Sequence, residues 1–131
     1  MLYKRLSILV VLALLVAYSA SADDRGFSAE YSACLDRSGG VTMNVLDCIS
    51  AETARQDNRL NKAYKEIMGE LGPARKKQLR NVQRLWIKYR DANCGFYADP
   101  NGGTIASINS SECFLVETAG RAKELENLII P

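Results

Sequence analysis

Apolar side chains recur every three to four residues along most of the chain, which is the period of an α-helix with one buried face. The longest such stripe stays on one face for more than six turns, at about 3.6 residues per turn. Its members are Leu46, Ile49, Thr53, Gln56, Leu60, Tyr64, Ile67 and Leu71. No strand-like alternation of any length interrupts the helical period. The pattern predicts an all-α fold.

Turn-forming residues divide this pattern into separate helices. Ser28 is placed to cap a short first helix over residues 27–37, and the Gly39-Gly40 pair to end it. Thr42 is then the expected N-cap of the long second helix, which the Gly72-Pro73 pair closes at about residue 71. The boundaries predict a small bundle of three to four helices.

The third helix is predicted over residues 73–93 and contains Trp86, the only tryptophan of the chain. Leu79, Val82, Trp86 and Tyr89 share one of its faces, which we expect to be buried. Its outer face is basic: Arg75, Lys76, Lys77, Arg80, Arg84, Lys88 and Arg90 precede the first acid. Such a face is either solvated or a docking surface for a polyanion, and acids on the neighbouring helices favour solvation.

A turn-rich segment follows the third helix, with Pro, Asn-Gly and Gly-Gly signals. Long loops in compact domains are often functional, so the segment over residues 97–109 is a candidate for binding a partner. Its candidate contact residues are Tyr97, Asp99, Asn101, Ile105 and Asn109. A last helix is predicted from a cap at Ser110 or Ser111 to about residue 129.

The amino-terminal segment has the features of a secretory signal peptide. Lys4 and Arg5 precede an apolar run over residues 8–17, and Ala20-Ser21-Ala22 is a typical cleavage site. The alternative, an uncleaved anchor, would need about 20 apolar residues. We expect cleavage of residues 1–22, a single domain over residues 23–131, a periplasmic or secreted location, and no stable membrane attachment after cleavage.

Charge balance changes with cleavage. The whole chain has 17 basic and 15 acidic residues, and the signal peptide carries two of the basic residues and none of the acids. The mature chain is therefore formally neutral, which argues against nucleic acid or an anionic membrane as the main partner.

Four cysteines lie in the mature part of the chain, and an even number in a small exported domain indicates disulfides. Cys34 and Cys48 flank the first helix junction, and Cys94 and Cys113 flank the turn-rich segment. Chain reversal at each junction brings Cα atoms close, which predicts the pairs Cys34–Cys48 and Cys94–Cys113 over the crossed pairings. A zinc site is the rival interpretation, and the absence of a Cys-x-x-Cys pair disfavours it.

A set of polar side chains is expected to point into the bundle: Gln56, Asp57, Arg90 and Arg121. A buried charge has to be paired, because burial of an isolated charge is very costly. The favoured interpretation is an ion-pair network that fixes helix register, with Asp57 bound to Arg90 or Arg121. The functional alternative is a site for an anion or carboxylate between the helices.

The chain has no histidine, which excludes Ser-His-Asp and Cys-His catalysis and imidazole metal sites. No phosphate-binding or dinucleotide motif occurs. A glycosidase can work with two carboxylates, but ion pairs with basic residues one helical turn away explain the acids of the second helix better. These acids are Glu52, Asp57, Glu66 and Glu70. We therefore expect no enzyme activity, no cofactor and no metal.

Motifs of the second and third helices resemble those of the LprI-type lysozyme-inhibitor domain family. They are Cys48, Asp57-x-x-Leu60-Asn61-x-x-Tyr64 and Gln83-Arg84-x-Trp86-x-x-Tyr89-Arg90-Asp91-Ala92-x-Cys94, followed by Gly102-Gly103, Cys113, Thr118, Arg121 and Leu125. The resemblance spans about residues 34–128. It implies an exported bacterial domain that binds vertebrate-type lysozyme and so protects peptidoglycan. The lipid-attachment cysteine of some members is absent.

Two functions are compatible with these features. The first is a lysozyme inhibitor whose segment over residues 97–109 enters the enzyme's cleft. The second is a non-enzymatic interaction or envelope-maintenance module that contacts a protein or cell-wall component through the basic face of the third helix. The oligomeric state is not specified by the sequence.

Overall fold

The structure is a computed structural model that describes residues 25–128. Within that range the chain forms four helices and no strand: α1 (Ala29–Ser38), α2 (Thr42–Glu70), α3 (Pro73–Phe96) and α4 (Gly103–Leu128). The prediction of a small all-α bundle is confirmed. The predicted signal peptide and its cleavage site lie outside the described residues.

The junction between α1 and α2 follows the predicted turn signals with one correction. Ser28 caps α1 by accepting a hydrogen bond from the Tyr31 N–H at 3.2 Å, and Gly39 ends it with a φ of 61°. Glycine adopts this left-handed conformation without a side-chain clash. Thr42 is not the cap of α2, because the Val41 carbonyl already accepts the first intrahelical bond from the Val45 N–H.

Helices α2 and α4 run side by side in the same direction and enclose most of the core. Ile49, in the first third of α2, and Leu115, in the middle of α4, belong to one apolar cluster, which α1 covers through Tyr31. Further along both helices, Leu60 and Leu125 belong to a second cluster. Because the residue numbers rise together on both helices, the pairing is parallel, and α3 supplies the return connection.

Helix α3 runs antiparallel to α4 and borders the bundle on a narrow strip. Only Gln83 and Cys94 of α3 are buried. Leu79 and Trp86 pack partly against the second core cluster, as the periodicity predicts. Val82 and Tyr89 are 48% and 56% exposed, so the prediction that they belong to a buried face is wrong. Contact with essentially one neighbour buries a narrower stripe than the apolar pattern of α3 provides.

Both predicted disulfides are present. The Cα atoms of Cys34 and Cys48 are 5.7 Å apart, and those of Cys94 and Cys113 are 5.3 Å apart. Since Ile49 and Leu115 pack at the same level, the two bonds lie at the same end of the bundle. The opposite end, where α2 meets α3, has no covalent link.

The long loop predicted after the third helix is mostly helical. Helix α3 continues to Phe96 and α4 begins at Gly103, so the connection is the six-residue segment 97–102. Ser110 and Ser111 lie inside α4 and cap nothing. The small and polar residues of the first turns of α4 dilute its apolar period, although Ala106 is buried and Ile108 packs against the first cluster. Across residues 25–128, no helix has an apolar stretch long enough to cross a bilayer.

Candidate functional site

The segment over residues 97–102, named here the α3–α4 turn, is held by hydrogen bonds of Asp99. The Asp99 Oδ1 atom accepts from the Asn101 N–H at 2.8 Å, and its carbonyl accepts from the Gly102 N–H at 3.0 Å. Gly102 is required where it stands, because an added Cβ would lie 2.7 Å from the Ala106 Cβ atom. The α3–α4 turn is therefore a defined structure at the end of the bundle.

The base of the α3–α4 turn is fixed to both helices. The Cys94–Cys113 disulfide joins the last turn of α3 to α4. Next to it, the Ser110 hydroxyl donates to the Cys94 carbonyl at 2.9 Å, and the Asn93 amide donates to Glu117 at 3.5 Å. A turn anchored in this way loses little conformational entropy on binding a partner.

All five predicted contact residues of this region are exposed. They divide between two elements: Tyr97, Asp99 and Asn101 lie on the α3–α4 turn, and Ile105 and Asn109 lie one helical turn apart on α4. Tyr97 and Asn109 also line a shallow concavity of about 340 Å³, so the structure brings these two together.

Phe96 was not among the predicted contact residues, but it is 82% exposed at the end of α3 and stacks edge-on against Tyr97. Two exposed aromatic rings side by side are typical of a binding surface. Without a partner to cover them, such rings lower the solubility of a protein. The sequence feature that could have identified Phe96 is its position directly after Cys94-Gly95, next to the predicted binding segment.

The same end of the molecule is acidic. From residue 91 to residue 120 the chain has no Lys or Arg, and its four acids are Asp91, Asp99, Glu112 and Glu117. Glu112 and Glu117 line the concavity beside Tyr97. The basic residues of α3 all precede Asp91. Acidic and basic residues are therefore separated along this half of the chain.

The predicted ion-pair network is not formed. Gln56 and Arg121 are buried, but they belong to different groups, since Gln56 bonds to Glu52 and Arg121 bonds to Gln83. Asp57 is exposed and accepts from the neighbouring Asn61 amide at 2.9 Å. The prediction that Asp57 pairs with an arginine inside the bundle is therefore wrong.

Arg90 is half-buried, and its guanidinium group makes cation–π contacts with two aromatic rings. Its guanidinium carbon lies 5.0 Å from the Trp86 ring centre and 5.3 Å from the Phe114 ring centre, and its edge pairs with Asp91 at 2.9 Å. Asp57 and Arg90 line the same open groove of about 400 Å³, on opposite helices, and no ion pair joins the two side chains. The splay of α3 away from α2 keeps them apart.

Glu52 is a fully buried acid of α2. The ion pairing expected along this helix is present, since Arg55 contacts the Glu52 carboxylate at 2.7 Å. This carboxylate has no exposed area and accepts hydrogen bonds from Ser28, Gln56 and Arg55. Burial alone would raise the pKa of Glu52, but these hydrogen bonds together outweigh it and hold the pKa below its usual value. Glu52 lies three residues after Ile49, a spacing that puts it on the buried side of α2.

These acids do not assemble a metal site. Within residues 25–128, no group of three Cys, Asp or Glu side chains is arranged to hold a metal ion. The fold and the exposed end together define a small, disulfide-stapled helical domain with one preorganised, aromatic and acidic surface.

Residues 34–125 match the model of the family described as "Lysozyme inhibitor LprI". The match covers both disulfides, the α3–α4 turn and most of the core, and the chain belongs to this family. Searches of curated proteins and of solved structures gave no significant match.

Proposed function

We propose that this protein is an exported, non-catalytic inhibitor that binds vertebrate-type lysozyme and thereby protects bacterial peptidoglycan. Membership of the LprI family supports a lysozyme as the target. The structural observation that supports the proposal most directly is the rigid α3–α4 turn with the exposed rings of Phe96 and Tyr97 beside it.

The turn has properties suited to entering a cleft. Lysozyme hydrolyses its substrate between two carboxylates in a groove, and a protein that fills the groove blocks access. Exposed aromatic side chains are the usual energetic anchors of such interfaces, and Phe96 and Tyr97 are available without rearrangement of the bundle. The disulfide and the Asp99 hydrogen bonds hold the turn in one conformation before binding.

Local charge supports the same target. Lysozymes of this type are strongly basic, and a formally neutral inhibitor as a whole would gain little electrostatic steering. The end that carries the α3–α4 turn has only acids over residues 91–120, so it attracts a basic enzyme. The basic face of α3 would repel the enzyme, which orients the inhibitor with its turn foremost.

Export fits the two disulfides, because such bonds persist in oxidising compartments. We place the mature chain in the periplasm or outside the cell, starting at Asp23. The intact mass of the exported product tests this cleavage, and a full-length product retained in the inner membrane would contradict it.

The direct test of function is calorimetric titration of the mature protein into a vertebrate-type lysozyme at physiological salt, with a turbidity assay of cell-wall lysis in parallel. We expect stoichiometric binding that lowers the lysis rate and weakens as salt increases, because the charges are exposed. Absence of both binding and inhibition for a folded, oxidised sample would refute the proposal.

A second candidate function is that of an envelope interaction module that uses α3. The observation that favours it is the outward face of α3, where Leu85 and Tyr89 are exposed beside the basic residues. Replacement of Arg80 and Lys88 by glutamate tests whether this face of α3 takes part in lysozyme inhibition. Such a variant should keep full lysozyme inhibition under the first proposal, whereas loss of inhibition would assign the contact to α3.

A further inference from the structure

A second groove lies at the end of the bundle opposite the α3–α4 turn, where α2, α3 and α4 meet. Its volume is about 300 Å³, at the lower end of the range for small-ligand sites. Its apolar lining consists of Ile67, Leu71, Leu79, Val82 and Leu128. We name it the Arg121 groove after the charged residue at its base.

Arg121 has an incomplete set of hydrogen bonds. It is 5% exposed, its Nε atom donates to Gln83 at 3.0 Å, and its Nη1 atom donates to Glu124 at 2.7 Å. The Nη2 atom is buried and has no acceptor among residues 25–128. A buried donor on a charged group that lacks an acceptor is costly, so an acceptor supplied from outside would stabilise it.

The groove also has an excess of positive charge. Arg75 and Arg121 line it together with a single acid, Glu124. Arg75 stands in the first turn of α3, where Gly72 offers no side-chain cap and no acid is present. The positive end of the helix dipole therefore adds to the attraction for an anion.

We propose that the Arg121 groove binds a carboxylate carried on an apolar chain. The carboxylate would accept hydrogen bonds from Arg121 and Arg75, for which its two oxygens are suited. The apolar chain would cover Val82 and Leu128, which are 48% and 54% exposed. Glu124 is largely exposed and bound only at its end to Arg121 Nη1, so the carboxylate of the ligand would take its place when the Glu124 side chain turns toward solvent.

Two sources present this chemistry: a medium-chain fatty acid, and the free carboxyl end of an apolar peptide. Trp86 is the only tryptophan of the chain, and its ring centre lies 6.0 Å from the Arg121 guanidinium, so its fluorescence reports on the groove. The test is a fluorescence titration of the mature protein with decanoate, with decyl alcohol, and with an acetylated leucine tripeptide that ends in a free carboxylate.

Decanoate should bind about tenfold more tightly than decyl alcohol, which corresponds to one charge-assisted contact. Equal affinities for the two, or no response to either carboxylate, would overturn the proposal. Tighter binding of the peptide than of decanoate would support it and identify a carboxyl-terminal peptide as the ligand class.

Variants locate the site. Arg75→Gln should weaken decanoate binding severalfold, and the matched change Arg84→Gln, at an exposed arginine of α3 outside the groove, should not. Val82→Trp places a large ring over the apolar lining and should abolish binding without removing a charge, as measured by calorimetry because it adds a second tryptophan. Equal weakening by Arg75→Gln and Arg84→Gln, or unchanged binding to Val82→Trp, would place the ligand elsewhere and overturn the assignment.

Discussion

Glu52 binds Ser28 twice, accepting from its backbone N–H at 2.9 Å and from its hydroxyl at 2.5 Å. The same hydroxyl oxygen caps α1 by accepting from the Tyr31 N–H. The Glu52 carboxylate of α2 therefore fixes Ser28, the residue at which α1 begins, and holds α1 against the first core cluster.

Glu52→Gln should destabilise the protein by about 2–3 kcal/mol, because hydrogen bonds to a charged group are lost. In addition, the new amide NH₂ group would face the groups of Ser28, Arg55 and Gln56 that donate to Glu52. The free energy of unfolding in urea measures the effect. Glu66→Gln, at an exposed position of the same helix, is the control and should change stability by less than about 0.5 kcal/mol. Equal effects of the two changes would mean that Glu52 is not buried in solution.

Stability should fall in acid because of two glutamates whose pKa is lowered on folding. Hydrogen bonds outweigh burial at Glu52, and at Glu126 the hydrogen bond from Arg59 lowers the pKa most. Between the folded and the unfolded pKa, the unfolded chain binds more protons, so this stability is present above the ordinary glutamate value of 4.5 and is lost as pH falls through the lower folded values. Urea unfolding at a series of pH values should show the loss, and it should be smaller in Glu52→Gln. A pH dependence identical to wild type would contradict the contribution of Glu52.

Arg121→Met should cost about 1–3 kcal/mol, since it leaves the buried Gln83 side chain without its partner, although it also removes the unpaired Nη2 atom. Asp57→Asn should lie within about 0.5 kcal/mol of wild type, because Asp57 is exposed. The double variant should be additive, as expected for residues that do not interact. A coupling energy above about 1 kcal/mol would restore the ion pair that the structure lacks.

The two disulfides should contribute similar stability, about 3 kcal/mol each on the chain-entropy model, since they close loops of similar length. Their effects on lysozyme inhibition should differ. Replacement of Cys94 and Cys113 by serine releases the base of the α3–α4 turn and should weaken inhibition more than replacement of Cys34 and Cys48, when both variants are assayed well below their melting temperatures. Equal inhibition by the two variants would show that preorganisation of the turn is unimportant.

Phe96→Ser with Tyr97→Ser should weaken lysozyme binding by about thirtyfold or more, the loss expected for interface anchors. The matched control is Leu85→Ser, at a 65% exposed apolar position on the outward face of α3, and it should leave affinity unchanged. Because all three side chains are exposed, the circular dichroism spectrum should not change. Weaker binding only in the Leu85 variant would move the interface to α3.

The local sequence pattern was sufficient to predict the helices and the disulfide pairs. Ser28, Gly39 and the Gly72-Pro73 pair act through conformational preferences of a few neighbouring residues, so the predicted ends of α1 and α2 are correct to within about two residues. Each disulfide joins cysteines either side of one junction, where the chain reversal alone brings them together. The family could be recognised because its motifs are local strings of the same kind.

Tertiary structure alone decided which faces are covered. Helical periodicity gives the direction of a side chain around its own helix axis, but not how many neighbours the helix has. Helix α3 contacts little besides α4, which leaves Val82 and Tyr89 exposed and keeps Arg90 apart from Asp57. The burial of Glu52 depends on Ser28, which is 24 residues away along the chain and approaches only when α1 folds back on α2. The exposure of the Phe96 ring and the missing acceptor of Arg121 Nη2 also result from how the helices pack. A local sequence pattern does not specify that packing.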